Sequence, residues 1–209
     1  MQTLTLTPEG RELDTLLPRS GRHLIGICGA PGSGKSHLAD FLARTHGAVV
    51  VPMDGFHLAD VELARRGILD RKGAPCSFDG WGYAALLGRV EGRPRHVVMA
   101  PAFERELEQP IAGAIPVPPE AGLVVTEGNY LLLDEDPWPA ARRHLDMVWH
   151  VTTDDRVRLP RLVARHVASG KSPDEARAWV ERVDRPNADL VEAARGQADL
   201  VLDLTRWRG

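Results

Sequence analysis

Short apolar runs alternate along this chain with longer stretches in which apolar residues recur at helical spacing. Residues 23–28 (HLIGIC), 48–52 (AVVVP), 123–126 (LVVT), 147–151 (MVWHV) and 199–204 (DLVLDL) are runs of the length and character that make buried strands. Between them, residues 35–44, 60–66, 81–90, 155–168 and 172–183 read as helices. In the first of these, Leu38, Phe41 and Leu42 fall on one side. Asp154 or Asp155 can cap the helix that Gly170 stops, and Ser172-Pro173-Asp174-Glu175 opens the next, with proline at a favoured early position. A short helix is expected over residues 8–17, opened by Pro8, with Leu13, Leu16 and Leu17 as its apolar stripe. Residues 96–99 and 115–117 predict two further short strands, and the proline-rich run 116–119 reads as a connection. Residues 67–80 are polar and loop-rich. Strands alternating with helices predict an α/β domain, one unit over residues 1–209, with a largely parallel sheet covered on both faces.

Composition narrows what such a domain does. With 26 Lys plus Arg against 29 Asp plus Glu, the net charge is -3, which argues against a bulk nucleic-acid binder. Only three of the cations are lysines (Lys35, Lys72 and Lys171), so arginine dominates. Cys28 and Cys76 make no disulfide framework and fit a reducing, cytoplasmic setting. No apolar run approaches the roughly 20 residues that span a bilayer, and the N-terminus has no signal-peptide pattern.

The clearest motif follows the first strand. Gly29, Ala30, Pro31, Gly32, Ser33, Gly34, Lys35 and Ser36 match G-x-x-x-x-G-K-[ST] without a gap, with a strand before and a helix after. Glycines let successive backbone N–H groups turn inward around phosphate oxygens, and the following helix sets its positive end against the same anion. Lys35 supplies a mobile charge to the β and γ phosphates, and Ser36 offers its hydroxyl to Mg²⁺. A phosphate cradle alone serves kinases, ATPases, GTPases and passive switches alike.

A second cluster discriminates among these. Asp54, in Pro52-Met53-Asp54-Gly55-Phe56-His57, lies just past the carboxyl end of the 48–52 strand, the sheet edge where ligands bind. It could accept the proton of an attacking hydroxyl; the alternative is a carboxylate that only caps a turn. Together, GAPGSGKS, VPMDGFHL, RRGILDRKGAPCSFD, TEGNYLLL and RVDRPNADLV resemble the phosphoribulokinase/uridine kinase/bacterial pantothenate kinase superfamily. The likeness is greatest to its nucleoside/nucleotide kinase, or fructose transport system kinase, branch, and it covers residues 22–204. It implies a three-layer P-loop NTPase fold: a parallel five-stranded core sheet, helices on both faces, and a small helical lid over residues 155–183. It also implies an ATP- and Mg²⁺-dependent kinase with a small-molecule hydroxyl acceptor such as a sugar, a nucleoside or a pantothenate-like alcohol.

Carried over by position, the resemblance makes Asp54 the general base and Lys35 the phosphate-binding lysine. Ser36 and Glu127 become the metal-side residues, Glu127 holding an Mg²⁺-bound water or a substrate hydroxyl. Arg161 and Arg165 match the lid arginines; with Arg158 they share one helix face, which could equally be a solvated one. Asn187 matches a segment beside the adenine, or else caps a helix. His57, Lys72 and Arg105 are candidates for acceptor contact, with Arg66 and Arg71 as further basic residues nearby. Two positions depart from the pattern. Glu104 stands in Phe103-Glu104-Arg105 where the family often has Asp, and His37 follows Ser36 where a small hydroxyl residue is commoner. His37 is expected to pack behind the loop and to contribute little to nucleotide binding.

The expected partners are therefore MgATP and a small hydroxyl acceptor, with no nucleic acid and no membrane; a homodimer stays open. The competing reading is an acceptor-independent nucleotide-binding regulatory ATPase. The chain carries no N-K-x-D guanine motif and no L-S-G-G-Q segment, so GTPase switches and ABC-type ATPases are disfavoured.

Overall fold

The computed structural model describes residues 3–18 and 20–209. The apolar runs assemble into one parallel sheet. In chain order its strands are β1 (Thr3–Thr5), β2 (His23–Cys28), β3 (Val49–Pro52), β6 (Leu123–Glu127), β7 (Met147–Thr152) and β8 (Leu200–Asp203), arranged β1-β8-β7-β2-β6-β3. Two strands, β4 (Val98–Glu104) and β5 (Gln109–Val117), form a separate antiparallel hairpin. The helices are α1 (Leu13–Leu16), α2 (Lys35–His46), α3 (Asp60–Arg65), α4 (Gly80–Glu91), α5 (Trp138–Arg142), α6 (Asp155–Ala168), α7 (Pro173–Trp179) and α8 (Arg185–Ala193).

Both faces of the sheet are buried, so consecutive residues serve opposite layers. Leu24, Val124 and Val148 pack toward α4 and α5 with Leu86, Val90, Tyr83 and Trp138, while Ile25, Val125 and Trp149 pack against Leu38 and Leu42 of α2. Central β2 lies between β6 and β7, with Ile25 level with Val125 on one side and Met147 on the other. This register brings the carboxyl ends of β2, β3, β6 and β7 to one edge.

Among the described residues the sheet has six strands rather than the expected five. The addition is β1, where Thr3 pairs with Val201 and Thr5 with Asp203. Three alternating Thr and Leu residues give a weak strand signal, and their pairing depends on β8, far away in sequence. The helix expected over 8–17 shrinks to Leu13–Leu16. Gly10 adopts φ 67°, and a Cβ there would come within 2.7 Å of Trp207 Nε1, so this stretch is shaped by the far end of the chain. The strands expected at 96–99 and 115–117 are parts of the longer hairpin. Pro110 and Pro116 sit inside β5, which an edge strand tolerates because the missing N–H faces away from the ladder. The helical run from Pro173 is not one α-helix: a π-turn, Val180–Asp184, separates α7 from α8. Among the described residues no helix is long and apolar enough to cross a membrane.

Candidate active site

The phosphate-binding loop leaves β2 and enters α2 through Gly34, whose φ of 98° only glycine adopts without strain. No side chain caps α2, so its first N–H groups face the loop and its dipole favours an anion there. The loop is braced from behind. Thr153 Oγ1 donates to the Ser33 carbonyl at 2.8 Å, and Arg158 Nη1 donates to the Pro31 carbonyl at 3.0 Å. Arg158 is buried and also bonds Asp155 at 2.8 Å. It therefore belongs to the scaffold of the loop, unlike Arg161 and Arg165, with which it shares a helix face.

Lys35 is buried, and its Nζ donates to the carbonyls of Gly29 at 2.9 Å and Ala30 at 3.2 Å. Burial pulls its pKa down, and the strongest opposing influence is the charge of Glu127. Glu127 ends β6, opposite Pro52 of β3, and its Oε1 accepts from Ser36 Oγ at 3.0 Å. Asp54 lies two residues past Pro52, in the 3-10 turn Met53–Phe56. Burial first, and the charge of Asp54 next, push the Glu127 carboxyl up to about 7, against the pull of Lys35. Two carboxylates, one lysine and one hydroxyl thus converge at the carboxyl ends of three neighbouring strands.

The raised Glu127 pKa has a measurable consequence. Between the unfolded value near 4.5 and the folded value of about 7, the folded protein holds a proton that the unfolded chain has lost. Folding is therefore penalised increasingly as pH rises through that window, and the penalty persists above it. Glu127→Gln removes the ionisation, so nucleotide- and metal-free variant protein should melt higher than wild type near pH 8, by up to a few kcal/mol, with the gap closing toward pH 5. A pH-independent difference in melting temperature would contradict this assignment of the carboxyl's environment.

A cleft of about 1350 Å³ opens in front of the loop. Its walls include Lys35, Ser36, Arg105, Arg161, Arg165 and Trp207, and none of its lining residues is acidic. Arg161 and Arg165 come from α6, and Arg105 from the turn of the β4–β5 hairpin. That hairpin is seated closely. A Cβ on Gly55, beside Asp54, would stand 2.5 Å from the Pro101 carbonyl oxygen, so glycine there lets β4 approach the Asp54 turn.

The acceptor-side candidates are more constrained than isolated side chains would be. His57 Nδ1 donates to the Asp54 carbonyl at 2.8 Å, and its ring lies 4.0 Å from that of Phe78 and 4.8 Å from that of Phe103. Burial pulls its pKa down, which favours a neutral ring that steadies the Asp54 turn. Lys72 Nζ bonds Asp60 Oδ1 at 2.7 Å and the Glu108 carbonyl, tying the 67–80 loop to α3 and to the hairpin turn. Arg66 pairs with Glu62 at 2.6 Å. Glu104 is exposed and accepts from the Glu106 backbone, so its extra methylene is spent in the turn.

Asn187 lies on α8 and does not line this cleft. Residues of the segment after β8, Thr205, Arg206, Trp207 and Arg208, take that place. Trp207 packs edge-on against Phe41 at 5.4 Å and lies 4.9 Å from His37. His37 thus faces the cleft rather than the back of the loop. Sequence reasoning missed this segment, although an aromatic between arginines directly after a predicted final strand stands where ligands bind in open α/β sheets.

No protein-family model matches the chain. A protein of Schizosaccharomyces pombe named "Putative uridine kinase C227.14" is 33% identical over 207 residues, covering 92% of this chain and 88% of that protein. Escherichia coli YggC is 31% identical over 204 residues, covering 92% of this chain and 82% of its own length. Among solved structures, one described as a "putative fructose transport system kinase" from Silicibacter sp. TM1040 superposes with a TM-score of 0.77 at 40% identity, covering 91% of this chain and 94% of that one.

Proposed function

The chain belongs to the P-loop kinases of the phosphoribulokinase/uridine kinase family, and from that membership we propose that it transfers the γ-phosphoryl group of MgATP to a hydroxyl of a small polar metabolite, with Asp54 as the base. That it is a small-molecule kinase follows from the family; the base, the metal-side residues and the acceptor are our reading. The observation that carries it is the convergence of Asp54, Glu127, Ser36 and Lys35 at one sheet edge, beside a cleft whose lining is cationic.

The triphosphate lies along the loop, its oxygens facing the N–H groups of residues 32–36 and the ammonium of Lys35. The residues fit a divalent ion: the Ser36 hydroxyl and the Glu127 carboxylate are 3.0 Å apart, and Glu127 is buried with its charge only partly offset by Lys35. Bound there, Mg²⁺ would neutralise charge on the β and γ oxygens. The base and ribose occupy the end of the cleft formed by His37 and the 205–208 segment, beside Trp207. The acceptor approaches between the Asp54 turn, the 67–80 loop and Arg105. Asp54 takes the proton of the attacking hydroxyl as the oxygen bonds to phosphorus, and ADP leaves. Charge spreads over the equatorial oxygens in this transition state, and Lys35, Arg161, Arg165 and Arg105 neutralise it.

The acceptor class that suits this site is a sugar, a nucleoside or a pantothenate-like alcohol. A thermal-shift screen of such compounds, with a nonhydrolysable MgATP analogue present, tests it. A true acceptor should add about 2.7 kcal/mol of stability at a hundredfold excess over its dissociation constant. A broad panel in which no hydroxyl compound stabilises the nucleotide-bound protein would sink the proposal.

A further inference from the structure

Arg161 and Arg165 are exposed on α6, line the cleft, and have no ion-pair partner among the described residues. Their reach into the cleft depends on how α6 is turned about its own axis. Successive helical residues point about 100° apart, so anchoring one neighbouring side chain sets the direction of the arginine face.

The residue after Arg165 is anchored in this way. His166 Nε2 donates to Asp184 Oδ2 at 2.7 Å, with the two side chains 13% and 9% exposed. A carboxylate that buried needs a partner, so the contact is strongly specified. Asp184 ends the π-turn Val180–Asp184, and such turns, rare in helices, occur often at functional sites. Trp179 lies beside the pair, its ring 6.3 Å from that of His166, and is itself flanked by Lys171 at 4.8 Å and Arg182 at 5.5 Å.

We propose that the His166–Asp184 pair is a latch that fixes the rotation of α6 against the π-turn and thereby holds Arg165 over the transferring phosphoryl group. Both are positioning residues, and the proposal rests on the kinase reading above. The latch matters most where the arginines matter most, in the charge-spread transition state, and less in ground-state nucleotide binding.

Isothermal titration of the full-length protein with MgAMP-PNP and with MgADP–aluminium fluoride, a ground-state and a transition-state mimic, tests this. His166→Ala and Arg165→Gln should each weaken the aluminium fluoride complex by about tenfold while changing MgAMP-PNP affinity less than about threefold. The double variant should bind no more weakly than Arg165→Gln alone, because His166 acts through Arg165. His166→Gln, which can still donate an N–H to Asp184, should stay within about twofold of wild type, and it keeps the test open if the alanine variant folds poorly. Losses that add in the double variant, or a His166→Ala protein that binds the aluminium fluoride complex like wild type, overturn the latch. Wild-type protein that binds neither mimic overturns the kinase reading, and the latch with it.

Discussion

Replacing Lys35 with arginine is expected to lower phosphoryl transfer by about 10²–10³-fold, and to weaken binding of a nonhydrolysable MgATP analogue as well. Lys35 is buried at 8% exposure, and its ammonium sits within hydrogen-bond distance of two loop carbonyls. A guanidinium is planar, broader and longer, and the pocket that holds the lysine tip is bounded by the loop backbone itself. Keeping the charge therefore does not keep the function. Steady-state rates and analogue titration on Lys35→Arg check this, with melting temperature as the control for folding. Wild-type turnover in that variant would remove the phosphate-site assignment, and with it the placement of Ser36, Arg161 and Arg165 around the same anion.

Asp54→Asn has the opposite signature. Loss of a general base is expected to lower transfer by about 10²–10⁴-fold. Analogue affinity should stay within about twofold, because no hydrogen bond joins the Asp54 side chain to the phosphate loop. The substitution has a second, independent effect. The charge of Asp54 is the second largest cause raising the Glu127 carboxyl, after burial. Removing it should lower the Glu127 pKa and shift the pH window of the stability penalty downward, visible in metal-free melts across pH. An Asp54→Asn protein with near wild-type transfer would show that another group accepts the proton.

The central strands and the loop were readable because they are local signals. An apolar run, a glycine-rich turn and a lysine before a serine each carry their meaning within a few residues, and the P-loop context follows directly. Asp54 and Glu127 were readable for a related reason: in a parallel sheet the carboxyl end of a strand is the ligand edge, so the position of each carboxylate suggested a use. What stayed hidden depends on contacts distant in sequence. β1 exists because β8 offers it an edge. Arg158 shares its helix face with Arg161 and Arg165, yet burial against Pro31 and pairing with Asp155 give it to the scaffold. Lys72 reads as a candidate acceptor contact, and it is held by Asp60 and Glu108. The 205–208 segment enters the cleft only because α2 begins beside the end of the final strand, where Phe41 and His37 receive Trp207. The only sign in the run RVDRPNADLV of the π-turn that delivers Asp184 to His166 is Pro186, whose missing N–H interrupts the helical ladder without specifying how the chain rejoins it.

Phosphoryl transfer is tested by the stoichiometry of ADP release against phosphorylated product, measured with MgATP across sugars, nucleosides and pantothenate-like alcohols. One class of hydroxyl compound should stimulate ADP release and itself be phosphorylated, one product for each ADP. ADP release at the same rate with every compound, accompanied only by inorganic phosphate, would contradict it.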